Sequence, residues 1–167
     1  MAGTRWLDAD EQRAWRVFVA ATELLADALD RQLQSEAGMT HAAYVVLVIL
    51  SEAPDRAMRM SELARATNSS QSRLSHVVAR HEERGWVRRE RCPTDRRGQI
   101  AVLTDAGFDV LAAAAPGHVD TVRRLVFDGL SPIQVEQLGA ISEAFLAVLD
   151  PDGRLSAVLG GRAAPLV

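Results

Sequence analysis

Apolar positions recur every three or four residues along most of this chain. Trp15, Phe18, Thr22, Leu25, Leu29 and Leu33 keep that spacing, with charged residues between them, and predict an amphipathic helix over 8–36. Asp8 or Asp10 can cap its start and Gly38 can close it. Thr40 suits the N-cap of a second helix running to about Ser51. Within it, Tyr44, Val45, Val46, Leu47, Val48, Ile49 and Leu50 are apolar almost all round. Read locally that run also suits a buried strand, because it is β-branched and aromatic. A buried helix is expected, since the flanking segments are helical. Pro54 and Asp55 turn the chain, and Met58, Arg59 and Met60 are expected as a short strand against a later hairpin.

From residue 61 the pattern shortens. Ser61 is placed to cap a short helix ending near Thr67, and Asn68 with Ser69 makes the turn. Ser70 caps the next helix, which runs to Arg84 and stops at Gly85, a residue suited to the left-handed position. Leu74, Val77, Val78 and His81 form its inner face, and Gln71, Ser72, Arg73, Ser75, His76 and Arg80 its outer face. Residues 86–91 and 99–103 read as two strands joined by a turn over 93–98. Thr104 caps an Ala-rich helix through Ala115, which Pro116 and Gly117 should kink or interrupt. Helical spacing resumes at Val119, Val122, Leu125 and Val126 and stops near Gly129. Ser131, Pro132 and Gln134 restart it as a capping box with proline at the first position. Leu138, Ile141, Phe145 and Val148 continue the apolar face, and a Pro-, Gly- and Ala-rich tail occupies 150–167.

The elements describe a mainly α fold with a little β structure (α+β), and 167 residues suit a single domain over 1–167. No stretch approaches the roughly 20 apolar residues of a membrane span, and the acidic start lacks the apolar region of a secretory signal. The one cysteine fits a reducing cytoplasm. The net charge of −3 hides a segregation. Residues 59–101 hold ten arginines and five acids, or +5, while the remainder holds nine arginines and seventeen acids, or −8. Phosphates respond to the local field, within roughly 8–10 Å at physiological salt.

A short helix, a tight turn, a helix bearing small polar residues and arginines, and an arginine-rich hairpin together have the shape of a winged helix-turn-helix, which reads duplex DNA. Phosphate contacts position such a protein and base-edge contacts specify sequence. The first turns of the second helix offer Ser70, Gln71, Ser72, Arg73, Ser75 and His76. Arg73 suits a bidentate contact to guanine and Gln71 one to adenine. Arg96 and Arg97 at the hairpin tip suit a minor groove, and Asp95 beside them suits a role in shaping the wing. Arg59, Ser61, Ser69, Arg80, Arg88 and Arg91 complete the expected contact set.

Several of these stretches resemble the MarR family of bacterial transcription regulators. They are Ser61-Glu62-Leu63-Ala64, Ser70-Gln71-Ser72-Arg73-Leu74-Ser75-His76, Glu82-Glu83-Arg84-Gly85-Trp86-Val87-Arg88-Arg89, Asp95-Arg96-Arg97 and Leu103-Thr104-Asp105-Ala106-Gly107. The resemblance implies a homodimer whose helices over 8–36 and 105–149 interleave as a dimerisation layer, and a winged DNA-binding region over 40–104. It implies a repressor reading a pseudo-palindrome, with recognition helices about one DNA turn apart. It also implies a small aromatic effector, for which Trp15, Phe18, His41 and Tyr44 are the expected lining. Ser69 and His81 stand where the family usually has apolar residues, Gln71 where it has proline, and Pro116 puts the dimer helix geometry in question.

Other chemistry is weakly represented. Cys92 lies among wing arginines, where a cation would favour the thiolate, but the plain reading is an exposed thiol in a tolerant loop. His81 reads as a satisfied core or interface histidine. His41, His76, His81 and His118 lack tight metal-ligand spacing, so no metal or other cofactor is expected. No phosphate loop, nucleophile elbow or paired carboxylates suggest an enzyme. The alternative to a regulator is a helical dimeric scaffold for other proteins without sequence-specific DNA binding.

Overall fold

Local capping chemistry sets most helix boundaries. Asp8 accepts from the N–H groups of Asp10 and Glu11, while the Glu11 carboxylate accepts from the Asp8 N–H at 2.9 Å. This capping box starts α1 (Ala9–Ala37), and Gly38 closes it at φ 62°. Thr40 accepts from the Ala43 N–H and starts α2 (His41–Glu52). The computed structural model describes residues 3–93, 95, 98–153 and 155. Within it the chain continues through β1 (Ala57–Arg59), α3 (Met60–Ala66), α4 (Gln71–Glu83), β2 (Val87–Arg91), β3 (Gln99–Leu103), α5 (Asp105–Val122) and α6 (Pro132–Leu149).

The run over 44–50 is helical because α2 is enclosed. It turns 78° away from α1 and packs against α1, α3, α4, α5 and the sheet. Tyr44, Val46, Leu47, Ile49 and Leu50 are buried, and each large aliphatic side chain so buried contributes about 1.5–3 kcal/mol. Leu33, Leu63, Leu74, Val78, Val87 and Leu111 complete the core around it. The sheet is antiparallel with order β1-β3-β2, pairing Arg59 with Ile100 and Val87 with Leu103. Among the described residues, no single helix is long and apolar enough to cross a membrane.

Two expectations change at helix ends. Ser61 is not a cap: β1 runs straight into α3, so Arg59 takes the N-cap position without a side-chain bond and Met60 is helical. Pro116 does not interrupt its helix. α5 continues to Val122 and becomes irregular only at the π-turn over Arg123–Phe127. An interior proline costs about 3 kcal/mol. Packing against α1 and α2 offsets it here, with Leu111 and Ala115 buried in the turn that precedes Pro116. The tail beyond residue 155 lies outside the described residues.

α5 is locked to the end of α4. The Thr104 hydroxyl donates toward the Gly85 carbonyl at 2.7 Å and the Trp86 carbonyl at 3.1 Å, and its oxygen accepts from the Gly107 N–H at 3.0 Å. Gly107 is required at this crossing, because a Cβ there would lie 2.1 Å from the Trp86 carbonyl oxygen. By contrast α6, started by the Ser131–Gln134 capping box, contains no buried residue. Ile133, Ile141, Phe145 and Val148 are exposed, as are Trp15, Val17 and Phe18 on the first half of α1.

His81 lies inside the core at 2% exposure. Its Nε2 donates to the Ala43 carbonyl of α2 at 3.1 Å, and its ring lies 5.6 Å from that of Trp86. Burial lowers its pKa below the ordinary 6.5, the bond to Ala43 partly restores it, and the nearby Arg84 lowers it again. The unfolded chain therefore takes up this proton first as pH falls below about 6.5, and folded stability declines over that range. Replacing His81 with Leu should flatten this acid-side loss. Urea midpoints for the wild type and the variant at about pH 7.5 and 5.5 check it, and equal pH dependence would refute the assignment.

Candidate nucleic-acid interface

Two surfaces flank the first turns of α4. Ser70 accepts from the Arg73 N–H at 3.2 Å and so starts the helix. The preceding turn holds Asn68 at φ 47° and ties the Ser69 hydroxyl to the Thr67 carbonyl. On one flank, Ser70, Ser72, Arg73, His76 and Arg80 line a shallow concavity of ≈ 450 Å³. On the other, Gln71 and Ser75 face Arg59, Met60, Ser61, Asp95, Gly98 and Gln99 across a cleft of ≈ 320 Å³. The first turns of α4, the end of β1 and the wing base therefore share one edge. Of the expected contact set on this edge, Ser69 and Ser75 are half-buried, while Arg59, Ser61, Ser70, Gln71, Ser72, Arg73, His76 and Arg80 are exposed.

The charges on this edge are unequally available. Among the described residues, Arg73 and Arg80 pair with no carboxylate. Arg91 is exposed at the end of β2. Arg88 is partly neutralised, because its Nε donates to Glu90 at 2.8 Å along the same strand face. Arg96 and Arg97, expected at the wing tip, lie outside the described residues.

The wing base is built around Cys92 and Asp95. The Cys92 N–H donates to the Gly98 carbonyl at 3.0 Å, and the Gly98 N–H to the Asp95 carbonyl at 2.9 Å. Cys92 is buried at 5% exposure, so the expectation of an exposed loop thiol is wrong. Gly98 comes back against it, and the Cys92 Cβ would sit 3.0 Å from any Cβ placed at residue 98.

One pair missed in the sequence fixes the wing to α4. The Glu82 carboxylate accepts from the Arg89 backbone N–H at 3.0 Å and from its Nε at 2.6 Å, and also pairs with Nη2. Both side chains are about a quarter exposed. Such a bidentate, charge-assisted contact is geometrically specific. No local rule links residues seven apart across a turn, so nothing in the sequence singled it out. Arg84 adds a second tie, donating to the Gly38 carbonyl at 3.0 Å with its guanidinium 4.7 Å from the Trp86 ring centre.

The four residues expected to line an effector pocket fall into two clusters. Trp15 lies against Phe18, and Phe18 against Phe145 of α6. His41 and Tyr44 surround His118 of α5, beside Asp30 of α1, which accepts the His41 N–H at 2.8 Å. Phe18 and Asp30 are about 18 Å apart along α1 at 1.5 Å per residue. A single small aromatic ligand does not span both. Among the described residues, no group of three or more His, Cys, Asp or Glu is arranged to hold a metal ion.

Comparison with known proteins agrees with this arrangement. Residues 37–98 match the MarR family model. The fold superposes on Sco3205, a MarR family transcriptional regulator from Streptomyces coelicolor solved in complex with DNA. The TM-score is 0.85 and the identity 54%, over 88% of this chain and 92% of that one. AbsC, a MarR family regulator from the same organism, gives a TM-score of 0.83 and 43% identity over 89% and 99% of the two chains. The transcriptional repressor MprA of Escherichia coli (strain K12) is 27% identical over 113 residues. That match covers 68% of this chain and 64% of MprA's length.

Removing the Glu82 carboxylate by Glu82→Ala should leave α4 folded but release the wing, at a stability cost of about 1–3 kcal/mol. DNA affinity should fall while the preference set by α4 persists. Chemical denaturation and a panel of base-substituted duplexes test this; unchanged affinity would mean the pair does not position the wing.

Proposed function

The chain belongs to the MarR family of transcriptional regulators, and on that premise we propose that it is a cytoplasmic homodimeric repressor that binds a pseudo-palindromic operator in duplex DNA. The observation that carries the reading is the shared edge of exposed Arg59, Gln71, Arg73, His76 and Arg80 beside the wing base. Its relative at 54% identity was solved on DNA. In this reading the first two turns of α4 enter the major groove. Arg73 and Gln71 choose bases there, the N–H groups at the α4 start hold a phosphate, and the wing carries Arg88, Arg91, Arg96 and Arg97 to the flanking backbone or minor groove. Asp95 shapes the wing, and Cys92 is packing.

The domain organisation belongs to the same proposal. Residues 40–104 form the DNA-binding region, and the helices over 8–36 and 105–149 form the dimer layer, followed by a tail over 150–167. The apolar surface that α6 and the first half of α1 leave open within one chain supports a second copy as its cover, since water-facing apolar stretches of this extent mark interaction sites. An effector that favours a dimer with a different half-site separation lowers operator affinity by shifting populations. The scaffold alternative gains no specific support, because it leaves exposed Arg73 and Arg80 beside the polar start of α4 without a role.

Selection of bound sequences from random duplexes tests specificity, palindromy and half-site spacing together. Arg73→Ala should lose about 1–3 kcal/mol of discrimination at one base pair per half-site. Arg80→Ala should weaken binding to all sequences and reduce the salt slope by about one. Equal affinity of the wild type for selected and scrambled duplexes would sink the specific-regulator reading. Light scattering should give twice the chain mass, and Phe145→Asp should shift that mass toward the monomer. A wild-type monomer at micromolar concentration would overturn the dimer.

A further inference from the structure

Two imidazoles from distant parts of the chain meet where the DNA-binding region joins the long helices. His41 opens α2 and His118 lies in α5, with ring centres 5.5 Å apart. Tyr44, one turn further along α2, closes on His118 at 4.5 Å. α1 supplies the polar backing. Gln32 Oε1 accepts from His118 Nδ1 at 3.2 Å, and Gln32 Nε2 donates to Glu36 at 2.8 Å, which fixes the amide orientation. Nδ1 of His118 is therefore the protonated nitrogen, and Nε2 is left with its lone pair. Asp30 accepts the His41 backbone N–H at 2.8 Å and fixes the start of α2.

We infer that the His41–His118 contact is a proton-sensitive joint: proton uptake there loosens α5 from α2 and lowers operator affinity. The inference rests on the DNA-binding reading above. The groups facing the pair are Asp30 and Glu36 from α1 and Tyr44 from α2. Asp30 favours a proton on His41, but burial outweighs it and lowers the His41 pKa. Burial also lowers that of His118, and His41 lowers it further. Burial raises the Tyr44 pKa, so its phenol stays neutral and supplies no compensating charge. Near neutral pH both rings are uncharged and pack together. In mild acid His41 takes the first proton beside Asp30, and a second on His118 places two cations at this distance. Opening of the neighbouring α2–α5 contact relieves that repulsion. Because α2 supports the recognition helix and α5 belongs to the long-helix layer, opening changes how the reading edge is held.

Acidification alone favours DNA binding, since histidines on a DNA-facing surface gain positive charge. The test is therefore a comparison. Operator affinity of the wild type and of the His41→Gln, His118→Gln double variant is measured from about pH 7.5 to about pH 5.5. The two proteins should bind alike at the upper end. At the lower end the wild type should be about ten-fold weaker than the variant, within the usual range of coupling between sites. Parallel curves overturn the inference. Should the variant misfold, histidine C2–H NMR titrations of the wild type decide alone. His41 and His118 should titrate below the ordinary 6.5 and lower still when duplex is bound, because coupling is reciprocal. Titration unchanged by duplex overturns it. Absence of operator binding at every pH overturns the regulator reading itself, and this inference with it.

Discussion

Leu74, Val78 and His81 bury one side of α4 against α2, and the rest of the molecule depends on that contact. Contacts with α3 and β2 flank it, and the opposite side of α4 is left polar and exposed. A buried histidine in such a place must satisfy its ring, and the carbonyl of Ala43 does so. The bond makes the seat directional: α4 can slide or roll only by stranding a polar group in the core. The small polar residues at its start are left exposed, with Ser70 alone engaged as the cap.

From that seat, order spreads to the wing. Glu82 takes both the backbone and the guanidinium of Arg89, while Thr104 links the end of α4 to the start of α5. Gly107 lets those elements touch. The wing, the end of α4 and the start of α5 are thus tied to one another by hydrogen bonds. A fixed angle between helix and hairpin is what a protein needs to address two neighbouring grooves together.

The long helices present the opposite condition. α5 is well packed where it meets α1 and α2, but α6 buries nothing within the chain. α5 also contacts α2 through the His41, His118 and Tyr44 rings. A second copy on the apolar side and a titratable contact on the inner side would let dimer geometry and protonation act on the same joint.

Much of this was legible in the sequence because it depends on residues three or four apart. The caps at Asp8, Thr40, Ser70, Thr104 and Ser131 were readable, since each side chain bonds a backbone N–H within three residues. So were the glycine at 85 and the segregation of arginines into 59–101. Other features were decided by the tertiary structure. The run over 44–50 is helical because neighbours enclose it, and Pro116 stays in its helix because packing offsets the lost bond. Ser61 is not a cap because β1 leads directly into α3, and Cys92 is buried at the wing base, where Gly98 comes back against it. The Glu82–Arg89 clamp and the His41–His118 contact join groups separated by a turn or by several whole elements. Sequence alone set the local hydrogen-bond choices and the side on which charge collects. Only the fold set which distant side chains share a dry or half-dry space, because that depends on the three-dimensional path of the whole backbone.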